Sequence, residues 1–297
     1  MIKRFLFKAI FICLILFSGL LATTYAQKVN ITTAPANAKI MEKLFSVLLF
    51  QFILLSCNNN TGALQDLHTI STNKINPYKQ IKAIPLPNGF ERIKGDSASF
   101  TNFLRNINLK ENTTVYLFNG QPKRNQTAQY ALLDISTGNK DLQQCADAVM
   151  RLRAEFQFAQ KHFEQIVFYD NEHTAYKFST PFNRERFDKY LSRVFGMCGS
   201  ASLAKQLKPV NNFSQIQPGD VLIRGGFPGH AVIVMDVAVN DSGKKIYLLA
   251  QSYMPAQDIH VLKNPINTIL SPWYEVNNDN IIATPEYTFT KNELRRW

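Results

Sequence analysis

Apolar residues first gather in two runs near the N-terminus, Phe5 to Leu21 and Leu44 to Leu55. They then give way to a polar stretch, 58–80, without apolar period. From Ile81 to about Ser136 the pattern suits short strands and turns: Thr113–Phe118, an Asn119-Gly120 turn, then Tyr130–Ile135. Asp96–Ile107 is expected to be a short helix. The clearest period begins at Cys145, where Cys145, Val149, Leu152, Phe156, Ala159 and Phe163 step by four and three, one stripe of a helix. Asp141 and Gln144 read as its capping pair. A second helix is expected from Arg184 to about Leu207, with Phe187, Leu191, Val194 and Phe195 on its apolar face and breaks at Gly196 and Gly199. Beyond Pro218-Gly219-Asp220 the text becomes a meander: Val221–Arg224, a tight loop 225–229, a strand opened by His230, a turn at Asn240–Gly243, and a return over Lys245–Tyr253.

The N-terminal runs change this picture from a plain domain to an exported one. Met1-Ile-Lys-Arg, the first apolar run and Thr24-Tyr25-Ala26 form a signal-peptide pattern. A second pattern starts at Met41 and closes on Leu54-Leu55-Ser56-Cys57, which resembles the lipobox of bacterial lipoproteins. Neither run has the roughly 20 continuous apolar residues of a membrane span. The expected organisation is an upstream signal-like segment (1–40), a lipoprotein signal peptide (41–56), a lipidated tether (57–80) and one α+β domain (81–297). Met41 is expected to be the true start. Cys57 is the expected lipidation site and the membrane the expected partner, through that lipid.

Charge and cysteine count narrow the function classes. The chain carries a net +11, but the first 56 residues hold six Lys/Arg against one Glu, so five of those charges leave with them and +6 remains. That is a mild basic excess without a Lys/Arg block, zinc-finger spacing or an RNA-stacking motif, and no nucleic-acid partner is expected. Loss of Cys13 with the signal and of Cys57 to lipid leaves Cys145 and Cys198. In an oxidising compartment these two can form a disulfide, or one can be a working thiol.

A thiol nucleophile needs a base within hydrogen-bond reach and a third group to orient that base. Cys145 lies in the first turn of its helix, where unpaired amides and the dipole favour thiolate, and His230 as an imidazolium would lower the thiol further. Asp236 shares strand parity with His230, but six residues along a strand place it roughly 20 Å away. With the turn at Asn240–Gly243, Val239 stands opposite Lys244 and His230 faces Tyr253. Gln251 is then a diagonal neighbour on the same face, expected to accept the Nδ1 proton of His230. A one-residue slip would turn Gln251 away. The Gln144 side chain and the Cys145 amide are candidate oxyanion donors; Tyr253 and Gln257 are candidate substrate contacts. Asp147 and Arg151, four apart, are expected to pair on the helix surface. His230, Asp236 and His260 are the metal-ligand candidates, but His-Glu-x-x-His and paired-cysteine spacings are missing, so no metal or cofactor is expected. The competing reading of Cys145 is a small core residue or a staple to Cys198.

A cysteine opening a helix, a Pro-Gly-Asp strand start, Gly-His opening the next strand and a polar residue on the third resemble the papain-like NlpC-type cell-wall peptidases and amidases. The resemblance spans 141–253 in scattered motifs. It departs at the nucleophile, Gln144-Cys145-Ala146 where that superfamily usually has Asp-Cys-Ser, and in a long 164–217 insert. It implies an α+β fold with the nucleophile helix packed on an antiparallel sheet. It also implies Cys145 as nucleophile, His230 as base and Gln251 as orienter, acting on amide bonds of peptidoglycan stem peptides or a related substrate. The stretches Gln144–Arg153 and Leu249–Gln257 also resemble a family of envelope lipoproteins classed as a domain of unknown function, over most of the mature chain. The expected setting is the cell envelope, at the outer membrane facing the periplasm. The alternative function is a non-catalytic envelope binding or structural lipoprotein.

Overall fold

The computed structural model describes residues 75–297. Cys57, both apolar N-terminal runs and most of the expected tether lie outside the described residues. Among the described residues no helix is long and apolar enough to cross a membrane. Residues 76–81 run beside 106–111, with the Leu109 amide donating to the Lys79 carbonyl and the Ile81 amide to Ile107.

The chain order opens with β1 (Phe90–Arg92), α1 (Phe100–Arg105), β2 (Gln129–Leu132) and α2 (Cys145–Ala159). Next come β3 (Val167–Tyr169), β4 (Ala175–Lys177), α3 (Arg184–Met197) and α4 (Ser200–Gln206). The sheet strands follow as β5 (Lys208–Pro209), β6 (Val221–Arg224), β7 (His230–Asn240), β8 (Lys245–Gln251) and β9 (His260–Leu262). β10 (Tyr274–Glu275), β11 (Ile281–Ala283), β12 (Thr288–Thr290) and β13 (Leu294–Arg296) complete the chain. Nine strands form one antiparallel sheet in the order β2-β9-β8-β7-β6-β13-β5, with β1 added on β7 and β10 on β8. β3-β4 and β11-β12 are separate hairpins.

This architecture corrects the papain-like, NlpC-type expectation. The dominant element is the nine-stranded sheet, and the helices are few and mostly short. Helix α2 does contact β7. But the sequence pattern showed the three-stranded meander and, of the strands that widen it, only β2, which overlaps the expected Tyr130–Ile135. The others are two or three residues long, too short to display a period of two. The expected strand Thr113–Phe118 is reduced to single bridges, Tyr116 with Pro122 and Leu117 with Gln257. The second long helix divides: α3 ends at Met197, Cys198 and Gly199 are extended, and α4 begins at Ser200, so the break falls after Gly196 rather than at it.

The apolar run of β7 is buried on both faces. Ala231, Ile233 and Met235 join the core beneath α1 and α2, while Val232 and Val234 join a second core under the C-terminal hairpin. The register shifts between Val234 and Asp236, a bulge, after which Ala238 faces the first core and Val237 the second. Parity therefore reverses midway. Asp236 consequently points to the helix side, where Arg92 and Arg105 hold its carboxylate at 2.6 and 2.7 Å, away from the face that carries His230. The bulge also offsets the turn. Val239 pairs with Lys245 rather than Lys244, yet Ile233 pairs with Ala250 beyond the shift, and the His230 end regains the register needed to bring Gln251 alongside.

Candidate functional site

Cys145 is the first residue of α2 and half-buried. Its helix is capped from within: the Gln144 backbone amide donates to Asp147 Oδ2 at 3.0 Å. Asp147, not Asp141, is thus the acidic half of the cap. It is buried, its carboxyl is pushed well above the carboxylate range by burial, and it does not pair with Arg151. Arg151 bonds instead to Glu155 at 2.7 Å and to Gln143 Oε1 at 3.2 Å. Burial raises the Cys145 thiol and Asp147 raises it further; the amides of Ala146, Ala231 and Cys145 itself pull the other way. The Ala231 amide is one peptide bond from His230, so the sulfur meets β7 at the residue next to the imidazole.

Both flanks of His230 are tightly built. The loop 225–229 lies against the start of α4, where a Cβ on Gly229 would fall on the Ser200 hydroxyl and one on Gly225 would come 3.1 Å from Ala201 Cα. The His230 ring, 2% exposed, sits among Tyr253, Tyr287 and Phe289 with centroids 4.7, 4.9 and 5.9 Å away. Burial lowers its pKa to about 4. Imidazole and thiol therefore rest neutral near pH 7, which corrects the expectation of an imidazolium holding a thiolate.

The orienting hydrogen bond runs to the other nitrogen from the one expected. His230 Nε2 stands 2.8 Å from Gln251 Oε1. Gln251 Nε2 donates to Glu286 Oε2 at 2.8 Å and approaches His260 Nε2 at 3.5 Å. Glu286 also receives Lys123 Nζ at 2.5 Å and Asn125 Nδ2 at 3.0 Å. Burial disfavours the Glu286 charge, but Lys123 and Asn125 bring its pKa below the ordinary value, so it is an ionised acceptor. An ionised carboxylate only accepts, so the Gln251 atom facing it is the amide nitrogen. Oε1 must then face His230, and Nε2 of that ring carries the proton. The free lone pair is on Nδ1.

The remaining sequence candidates are placed as follows. Tyr253 lies tilted against His230, at 54° between the ring planes, with Lys123 Nζ 5.6 Å from the Tyr253 ring centroid. The Gln144 side chain donates to Asp141 Oδ1 at 3.0 Å, and the same oxygen takes the Ala256 amide at 2.6 Å, so this amide ties two loops together instead of facing the thiol. Gln257 is buried; its carbonyl takes the Ser252 hydroxyl at 2.9 Å, and its Nε2 has no acceptor among the described residues. Cys198 and Cys145 are both free thiols, so the staple of the competing reading is not formed. His260 donates Nδ1 to the Asp258 carbonyl at 2.9 Å and is fully buried, with its pKa lowered to about 4 by burial. Beside the loop leading into Cys145, Gln143, Lys140, Arg151 and Arg184 line a groove of about 440 Å³.

Lys123, Asn125 and Glu286 escaped the sequence reading, and His260 entered it only as a metal-ligand candidate. Glu286 sits in the turn between β11 and β12, and the only local sign is Pro285-Glu286-Tyr287 between Ile281-Ile282-Ala283 and Thr288-Phe289-Thr290. Nothing in that pattern points to a residue on β8.

The family profile described as Domain of unknown function (4846) matches residues 81–182 and 169–296. The resemblance to a family of unknown function is thereby met, and the NlpC-type one is not. Searches of curated proteins and of solved structures return no match.

Proposed function

The chain belongs to the Domain of unknown function (4846) family, a membership that assigns no chemistry, and from its side chains we propose a lipid-anchored envelope hydrolase that cleaves amide bonds through a Cys145 thioester. One observation carries the reading: a buried imidazole whose Nε2 proton is fixed on Gln251, leaving Nδ1 as the acceptor, one peptide bond from an amide that reaches the Cys145 sulfur. His230 Nδ1 takes the thiol proton as the sulfur attacks a carbonyl carbon. The proton then passes to the departing amine as the C–N bond breaks, and a thioester remains. Water, deprotonated by the same nitrogen, releases the acid and restores the thiol. The backbone amides that open α2 are suited to stabilise the oxyanion.

The proposed substrate is a cell-wall stem peptide or a related acidic peptide. Lys140, Arg151 and Arg184 in the groove beside Gln143 suit its carboxylates, although Glu155 and Asp188 already engage both arginines. Export and attachment through Cys57 rest on the N-terminal pattern. The decisive experiment incubates the purified protein and Cys145→Ser with muropeptides and follows products by mass spectrometry. Cleavage by the first alone, with a trapped acyl adduct on Cys145, is the expected result. Absence of both product and adduct overturns the enzyme reading and leaves a non-catalytic envelope lipoprotein, a reading that the raised thiol and lowered imidazole pKa favour.

A further inference from the structure

Taking Cys145 and His230 as nucleophile and base, we infer that Glu286 is the positioning residue of the site: anchored by Lys123, it locks the Gln251 amide in one orientation and so keeps the His230 proton on Nε2. Nothing in the family assignment bears on this residue.

The argument concerns what stops an amide from turning over. The two ends of a glutamine amide are nearly the same size, so packing alone seldom selects between them. Here the polar neighbours select. Glu286 presents an acceptor 2.8 Å from Gln251 Nε2. His260 presents a second, because its Nδ1 is committed as a donor to the Asp258 carbonyl. Turned over, Gln251 would set its oxygen against a carboxylate oxygen and a nitrogen lone pair. It would also offer an N–H to His230, and the imidazole proton would move to Nδ1. That tautomer cannot take a proton from a thiol. The His260 contact is long at 3.5 Å, near the limit of a hydrogen bond, so Glu286 carries most of the selection.

Glu286 has a second effect on the same step. As the thiol proton reaches Nδ1, a positive charge appears in a ring enclosed by Tyr253, Tyr287 and Phe289. A buried charge needs a compensating partner. Glu286 stands one amide away, and its attraction to His230 is opposed by Lys123 behind it. Lys123 in turn keeps the carboxylate ionised, and Asn125 holds its other oxygen. Gln251 thus relays a charged pair to the imidazole without itself titrating.

The test uses the intact chain with iodoacetamide as probe. Nitrogen-15 NMR of the histidine rings reads the tautomer, and the Cys145 alkylation rate is followed from neutral to alkaline pH with Cys198 as control. The protein itself should show His230 as a single Nε2–H form. Glu286→Gln should mix the two tautomers and slow Cys145 alkylation at neutral pH by about tenfold, leaving Cys198 unchanged. Should Glu286→Gln fail to fold, Lys123→Met keeps the carboxylate on Gln251 but weakens its anchor, and about a threefold slowing with partial mixing is expected. A single tautomer and unaltered alkylation in the folded variant, while His230→Ala slows it, overturns the role of Glu286 alone. Unaltered alkylation in His230→Ala overturns the thiol–imidazole reading, and this inference with it.

Discussion

Cys145 and Cys198 are both free thiols, and they occupy opposite ends of neighbouring helices. Cys145 opens α2, where its sulfur meets the amides of Ala146 and Ala231 as well as its own. Cys198 closes α3, where its own amide is spent on the Val194 carbonyl at 2.8 Å. Burial pushes the Cys198 thiol up to about 12, and the charges of Asp170 and Asp147 add to the rise. Burial and Asp147 also raise Cys145, but there the amide donors oppose them. A helix start offers donors to an anion and a helix end offers carbonyls, so the same side chain becomes a candidate nucleophile in one place and core filling in the other. Burial alone would not have separated them; the direction of the surrounding dipoles does.

The contrast is easily broken. Alkylation of the native protein should label Cys145 faster than Cys198 by on the order of a hundredfold, because less thiolate exists at Cys198 at any given pH. Both should react alike once the chain is unfolded, as peptide mass mapping would show. Since both thiols are raised, both rates should keep climbing past the ordinary thiol range, and equal native rates would erase the distinction. A smaller effect sharpens the comparison: His230→Ala should slow Cys145 by about tenfold at neutral pH while sparing Cys198. In the intact site the base remains neutral as pH falls, until His230 takes up a proton near its value of about 4. The acid limb of Cys145 reactivity or turnover should therefore lie near there and not near the ordinary histidine range. The smallest effect belongs to Cys198→Ala. It should cost about 1 kcal/mol of stability in a denaturant titration and leave Cys145 labelling unaltered.

What was legible in the chain follows the length of its signals. The fifteen residues of α2 carry several turns of apolar stripe, and the eleven of β7 are apolar from Ala231 to Val239 but for Asp236, so both stood out. The register linking His230 to Gln251 was reached through a turn misplaced by one residue, and the bulge between Val234 and Asp236 compensated for it. A period of two does not reveal a bulge in a strand buried on both faces, so the reversed parity of Asp236 was hidden. The wide sheet was hidden as well. β5, β10 and β13 contribute two or three residues each and owe their conformation to distant partners. Glu286 and Lys123 reach each other across most of the domain, a pairing that no local window contains.

The place of the C-terminal segment has one further consequence. β13 lies between β6 and β5, and Arg296 closes on the buried Asp220 at 2.6 Å. Just upstream, the β11–β12 hairpin delivers Glu286, Tyr287 and Phe289 to the imidazole. During synthesis, Cys145, His230 and Gln251 all emerge before the carboxylate that sets the amide. The candidate site is thus completed late, and a chain still on its way out of the ribosome carries Cys145 and His230 without the Glu286 contact to Gln251.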